Sequence, residues 1–186
     1  MMLRHPSTGA LDLESASPSS AAAEEESNLC YARRLGKELQ RRHWMLAVAE
    51  SATGGLLGHW ITAIPGSSAH FLGGVIAYAN ETKRDLLNVQ EQSLARWGAV
   101  SAAVAREMAR GACRAIGADA ALSITGIAGP TGATAYKPVG LYYIGLAVPG
   151  EVWCWRHQFN RDRSGNNELV ARAAMRHLVG YLTALP

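Results

Sequence analysis

The chain has 186 residues, 48% hydrophobic and 18% charged, with 18 Lys+Arg against 15 Asp+Glu for a formal net charge of +3. That length fits one domain, or one domain with a tail, and excludes two separate cores, while the apolar fraction excludes global disorder. The charge is unevenly spread: residues 1–27 carry Arg4 against Asp12, Glu14, Glu24, Glu25 and Glu26, a net of −4, which leaves +7 on residues 28–186.

In chain order, residues 1–27 are rich in Ser, Ala and Glu and poor in large apolar groups, so they are expected to be a disordered tail. Ala21–Glu26 is a possible extension of the first helix, with its acids near the N-terminus. Asn28 is the expected N-cap of that helix, with Leu29, Ala32, Leu35 and Leu39 on one face. Met45–Ala49 reads as a buried strand, and Leu56, Leu57, Trp60, Ile61 and Ile64 restart a helical period. Pro65–Ser68 is a loop, Gly73–Tyr78 a second strand, and Asn80 the expected cap of a short helix through Leu87. Ser101–Ile116 is the clearest helix, and Ala120–Thr125 a third strand running into a glycine-rich loop, 126–135. Gly140–Val148 and Glu151–Phe159 flank Pro149–Gly150 as a hairpin, and Asn167–Leu182 is a final amphipathic helix.

Strands alternating with helices, interrupted by one hairpin, predict an α/β protein: a three-layer α/β/α sandwich with a mixed, mostly parallel sheet and one antiparallel strand. Ligands of such sheets bind at the carboxyl ends of the strands, where the loops 50–55, 78–83 and 125–135 fall. In the first loop, Ser51 follows a strand and precedes Thr53-Gly54-Gly55 and a helix, so its hydroxyl lies near N–H groups suited to a phosphate or an oxyanion. The alternative is that Ser51 or Thr53 merely caps the helix. The second loop holds Tyr78, Asn80, Glu81 and Lys83. A lysine can lose its proton in a desolvated pocket whereas an arginine cannot, and this chain uses Arg 15 times and Lys three times. The alternative for Lys83 is a solvated residue paired with Glu81 or Asp85, and for Tyr78 a strand-end packing residue. The third loop, Thr125–Gly132, matches neither a dinucleotide fingerprint nor a P-loop, yet can wrap an anion with backbone N–H groups.

The remaining features are less pointed. Cys30, Cys113 and Cys154 form no framework or metal-ligand spacing, and the six histidines make no ligand pair, so no metal is expected. No apolar run approaches the roughly 20 residues of a membrane span, and the N-terminal stretch lacks a signal peptide's apolar core; a soluble cytoplasmic protein is expected. Trp97, Trp153 and Trp155 read as packing or interface residues rather than a nucleic-acid stacking platform, and the aromatic hairpin suggests a homo-oligomer contact.

Five segments, AESATGG (49–55), PGSS…F…GGVIAYANETK (65–83), WGAVS (97–101), SITGIAGPTG (123–132) and KPVGLYYIGLA (137–147), together resemble the CinA C-terminal domain family, over about residues 28–182. Its characterised members are nicotinamide-nucleotide amidases, with an α/β/α fold. The resemblance implies hydrolysis of the carboxamide of nicotinamide mononucleotide to nicotinic acid mononucleotide and ammonia, with no cofactor. It further implies Ser51 as nucleophile, Lys83 as general base and Tyr78 as its companion, with N–H groups near Thr53, Gly54 and Gly55 holding the oxyanion. Asn80, Thr125, Gly126, Gly129 and the Asp162–Arg163 pair are then expected around the mononucleotide. The chain departs from the family pattern at Ala52, Ala102, Ala133, Arg161 and Asn167. Ala52 is tolerable, since that side chain is not the nucleophile, but Ala102, Ala133, Arg161 and Asn167 keep two other readings in view: an inactive nucleotide-binding paralogue with a regulatory role, and an amidohydrolase for a different nucleotide-like substrate. The family's usual N-terminal molybdopterin-binding-like domain has no counterpart in residues 1–27, so a stand-alone form is expected.

Overall fold

Helix formation begins where a short polar side chain can serve the first free N–H groups. In a computed structural model that describes residues 27–186, that residue is Ser27, whose Oγ accepts from Cys30 N at 3.1 Å and opens α1 (Asn28–Arg41). The expected cap, Asn28, is already helical. Its amide is drawn into tertiary bonds instead, donating to Glu168 and accepting from Arg172 Nε at 3.0 Å. The expectations for residues 1–26 lie outside the described residues.

Then follow β1 (Leu46–Glu50), α2 (Leu56–Thr62), a 3₁₀ turn (Ser67–Ala69), β2 (Phe71–Ile76), α3 (Asn80–Leu87), α4 (Glu91–Trp97), α5 (Ala102–Ile116), β3 (Ala120–Gly126), β4 (Leu141–Val148), β5 (Glu151–Gln158) and α6 (Arg163–Ala184). The five strands lie in the order β2-β1-β3-β4-β5; β1 is parallel to β2 and β3, and β4 is antiparallel to both β3 and β5. Two reversals return β5 to the direction of β1–β3, so β4 alone opposes the rest, the mixed sheet that the alternating pattern predicts.

Two apolar layers sandwich the sheet. Leu46, Val48, Leu122 and Ile124 face α1, α2 and α6, while Ala47, Ala49 and Ala121 face α3 and α5. The side chains on the second face are small, and α5 exploits this: a Cβ on Gly145 of β4 would lie 2.4 Å from Ala105 O. At the far side of α5, a Cβ on Gly111 would lie 2.1 Å from the carbonyl oxygen of Leu87, the last residue of α3. Gly111→Ala must therefore push α3 outward, and we expect a loss of about 1–3 kcal/mol, read as a melting temperature lowered by several degrees.

Besides the cap of α1, strand β2 runs over Phe71–Ile76 rather than Gly73–Tyr78, and three helices differ from the sequence expectation. Helix α4 has no fully buried residue, so it lacks the apolar stripe by which a helix is recognised. Helix α6 begins four residues earlier than the periodicity indicated, because Asp162 caps it by accepting from Gly165 N at 2.8 Å and the first turn is polar. The cap of α3 is Ala79 rather than Asn80, which is the first helical residue and makes no capping bond. In the hairpin, Trp155 packs against the core with its ring 4.1 Å from that of His177, while Trp153 is 47% exposed. Among the described residues no helix is long and apolar enough to cross a membrane, and no group of three His, Cys, Asp or Glu is placed to hold a metal.

Candidate active site

The carboxyl end of β1 carries a buried acid. Glu50 is 1% exposed, and its carboxylate accepts from Gly55 N (3.1 Å), Leu57 N (3.0 Å) and Gly58 N (2.8 Å). It thereby caps α2 from within the protein, with Gly55 at the N-cap in the left-handed region (φ 105°). This corrects two expectations. Neither the Ser51 nor the Thr53 side chain caps the helix, and the helix N-terminus is not a seat for a substrate anion, because a carboxylate of the chain already fills it. Glu50→Gln sets an amide NH₂ against backbone N–H groups in a buried site. We expect it to cost roughly 2 kcal/mol or more in thermal unfolding.

The same contacts revise the oxyanion donors. Gly55 N–H is spent on Glu50, Gly54 N–H on Ser51 O (3.1 Å) and Leu56 N–H on Thr53 O (3.2 Å). Among the described residues, the N–H groups of Ala52 and Thr53 have no acceptor, and neither does the buried Thr53 Oγ1. The free donors thus start directly after the serine rather than at the glycines. Gly54 and Gly55 shape the turn, and neither they nor Thr53 line the cavity described below.

Lys83 lies in the first turn of α3 and is 1% exposed, which removes the solvated alternative. Its Nζ is 3.2 Å from Ser51 Oγ, 2.8 Å from Ala77 O and 3.1 Å from Tyr78 O. Burial pushes the ammonium pKa below the usual lysine value, against an opposing pull from Glu81. Two N–H bonds go to the carbonyls, which can only accept, and the remaining position on the nitrogen faces the Ser51 hydroxyl, to which an ammonium donates and from which a neutral amine accepts.

Ser51, Asn80, Lys83, Thr125, Gly126 and Gly129 line one cavity of about 320 Å³, together with Ala52, Tyr78 and Arg163. All three strand-end loops therefore meet there. The structure gives some of these residues other tasks than those expected. Tyr78 meets Lys83 only through its carbonyl, and its hydroxyl accepts from Arg163 Nη2 at 3.1 Å, with no hydrogen bond to Ser51. The Thr125 hydroxyl is spent on Ala99 O (2.9 Å), and Asp162 on its helix cap. Arg163 also donates to Gly129 O at 2.9 Å, which ties the start of α6 to the third loop. Gly126 is needed for packing: a Cβ there would lie 2.1 Å from the ring of Tyr142.

Residues 29–182 match the family model of the CinA C-terminal domain. The chain belongs to the CinA C-terminal domain family. A CinA-like protein of Salinibacter ruber is 50% identical over 141 residues, 76% of this chain and 34% of that protein. The chain thus spans about a third of the length of such curated relatives. Among solved structures, a CinA superfamily protein of Klebsiella pneumoniae superposes with a TM-score of 0.83 at 32% identity, covering 86% of this chain and 99% of that one. The competence/damage inducible protein CihA of Agrobacterium tumefaciens gives 0.81 at 36% identity, covering 84% and 95%.

Beside the first cavity of this CinA domain lies a second, of about 820 Å³, which shares Ala128, Gly129 and Arg163 with it and adds Arg161, Ser164 and Asn167. The sequence marks Asn167 only as the start of the last helix and a departure from the family pattern, and it singles out neither Glu50 nor Tyr142. Glu50 carried one readable signal, an acid closing an otherwise apolar strand, which must find donors if buried. Tyr142 and Asn167 carried none, since their meeting depends on how α6 crosses β4.

Proposed function

We propose that this CinA domain is a serine amidohydrolase that converts nicotinamide mononucleotide to nicotinic acid mononucleotide and ammonia in the cytoplasm. The observation that carries the proposal is the 3.2 Å contact between Lys83 Nζ and Ser51 Oγ, held by two carbonyls in a buried pocket. A lysine kept out of water beside a serine suits a general base better than a structural role, because burying a cation gains nothing for the fold.

In this reading the carboxamide enters the smaller cavity and the ribose phosphate extends into the larger one, where Arg161 and Arg163 supply positive charge. Lys83 takes the Ser51 proton as Oγ bonds to the carboxamide carbon. The resulting oxyanion lies against the N–H groups after the serine. Collapse breaks the C–N bond, and the Lys83 ammonium returns its proton to the leaving nitrogen, which departs as ammonia. A water, deprotonated by Lys83, then attacks the ester; Ser51 recovers its proton and the acid is released.

Purified protein incubated with nicotinamide mononucleotide is expected to release ammonia and nicotinic acid mononucleotide in equal amounts. Nucleotide binding by calorimetry without any turnover would favour a non-catalytic paralogue, and turnover of other amides alone would redirect the substrate.

A further inference from the structure

A hydrogen-bonded chain runs from the core to the peptide beside the nucleophile. Tyr142, on β4, is fully buried, and its hydroxyl donates to Asn167 Oδ1 at 2.7 Å; Asn167 Nδ2 donates to Ala52 O at 3.1 Å. The direction of each bond is fixed by chemistry. A carbonyl can only accept, so the amide nitrogen faces Ala52, and the amide oxygen is left for the phenol. Burial holds the Tyr142 phenol well above its usual pKa, so it stays a neutral donor.

The oxygen at the end of this chain belongs to the same planar trans peptide as the Thr53 N–H, which therefore points away from Asn167. The preceding peptide is fixed in the same way: Gly54 N–H binds Ser51 O, whose unit carries the Ala52 N–H. Each of the two unpaired donors after the serine is thus aimed by a bond to its own carbonyl. Thr53 is left with both its N–H and its buried Oγ1 unsatisfied among the described residues, a costly state that makes the turn depend on the bonds that hold it.

We propose that Asn167, oriented by Tyr142, is a positioning residue for the amidase reaction, fixing the Ala52–Thr53 peptide and with it the turn that carries Ser51 and the unpaired Ala52 N–H at the cavity wall. The proposal rests on the serine reading above. Asn167 itself does not touch the reacting atoms. Its effect through Ala52 is on transition-state stabilisation and not on the basicity of Lys83; Tyr142, which lines neither cavity, reports that effect apart from nucleotide affinity.

The test uses p-nitrophenyl acetate, which acylates an activated serine whatever the natural substrate, alongside ammonia release from nicotinamide mononucleotide. Ser51→Ala gives the background. Asn167→Ala is expected to slow Ser51-dependent acylation by about 10–100-fold and to lower kcat for the nucleotide in parallel. Asn167→Asp, of the same shape but unable to donate to Ala52 O, should lose at least as much. Tyr142→Phe, which keeps the ring in the core and lines neither cavity, should lose several-fold in acylation and kcat with KM within about threefold. In all three the pH midpoint of acylation stays at the wild-type value, since Lys83 is untouched; a general loosening of the fold would move it and raise KM in Tyr142→Phe. Asn167→Ala and Tyr142→Phe both acylating within twofold of wild type would overturn the proposal, and Tyr142→Phe alone decides if Asn167→Ala does not fold. Wild-type acylation no faster than that of Ser51→Ala overturns the serine reading and this proposal with it.

Discussion

Ser51→Ala is expected to lower ammonia release from nicotinamide mononucleotide by at least about 10³-fold while leaving nucleotide affinity within about threefold. The asymmetry follows from the site. Ser51 is only 9% exposed, and its Oγ has Lys83 Nζ as its hydrogen-bond partner, so removing the oxygen deletes the bond-forming atom of the proposed mechanism and leaves the cavity walls standing. The neighbouring structure is also insulated from the change, because Glu50 and the Ser51 carbonyl, not the hydroxyl, hold the turn. A circular dichroism spectrum and melting temperature like those of wild type should accompany the loss. Retention of wild-type turnover would remove the serine mechanism and point instead to direct attack by water.

Lys83→Arg is the second large effect, and more discriminating than removal of the side chain. Arginine keeps the positive charge but cannot give up its proton, and its planar head cannot reproduce the amine's two carbonyl bonds and its approach to Ser51. We expect a loss of about 10²–10⁴-fold, and a comparable loss for Lys83→Met. The pH profile carries the sign. In the proposed mechanism Lys83 acts as a base when neutral, and burial lowers its pKa, so kcat/KM should rise with pH through that lowered value and level off below the usual lysine value. The rising limb should disappear in Lys83→Arg. Linkage predicts a parallel trend in stability: below the unfolded lysine pKa the folded state binds fewer protons at this site. Its contribution to stability therefore increases with pH between the lowered and the usual value, and falls as pH drops through that window. A Lys83→Arg protein with wild-type rate and profile would remove the lysine from the mechanism.

These two residues also show how far a sequence can be read. Ser51 after a buried strand and Lys83 beyond the next strand end were both visible, because the β/α alternation places strand ends together whatever the helices do. The sequence motifs identify the family, and the matched region covers nearly all the described residues. Boundaries were less legible. Capping is a contest among adjacent polar groups, and tertiary partners decided it at Asn28.

By itself, then, the sequence determined the order of strands and helices, the strand-end location of the loops and the residue types available for chemistry. The three-dimensional fold alone decided which polar groups are spent and which are free. Glu50 reaches forward to occupy the N–H groups of a helix that would otherwise invite an anion, and the Thr125 hydroxyl turns to Ala99. Asn167 meets Ala52 across 115 residues of chain. Each hydrogen-bonding group has few valences, and burial forces them to be filled. Which donors remain for a substrate is therefore settled only when every long-range partner has been placed.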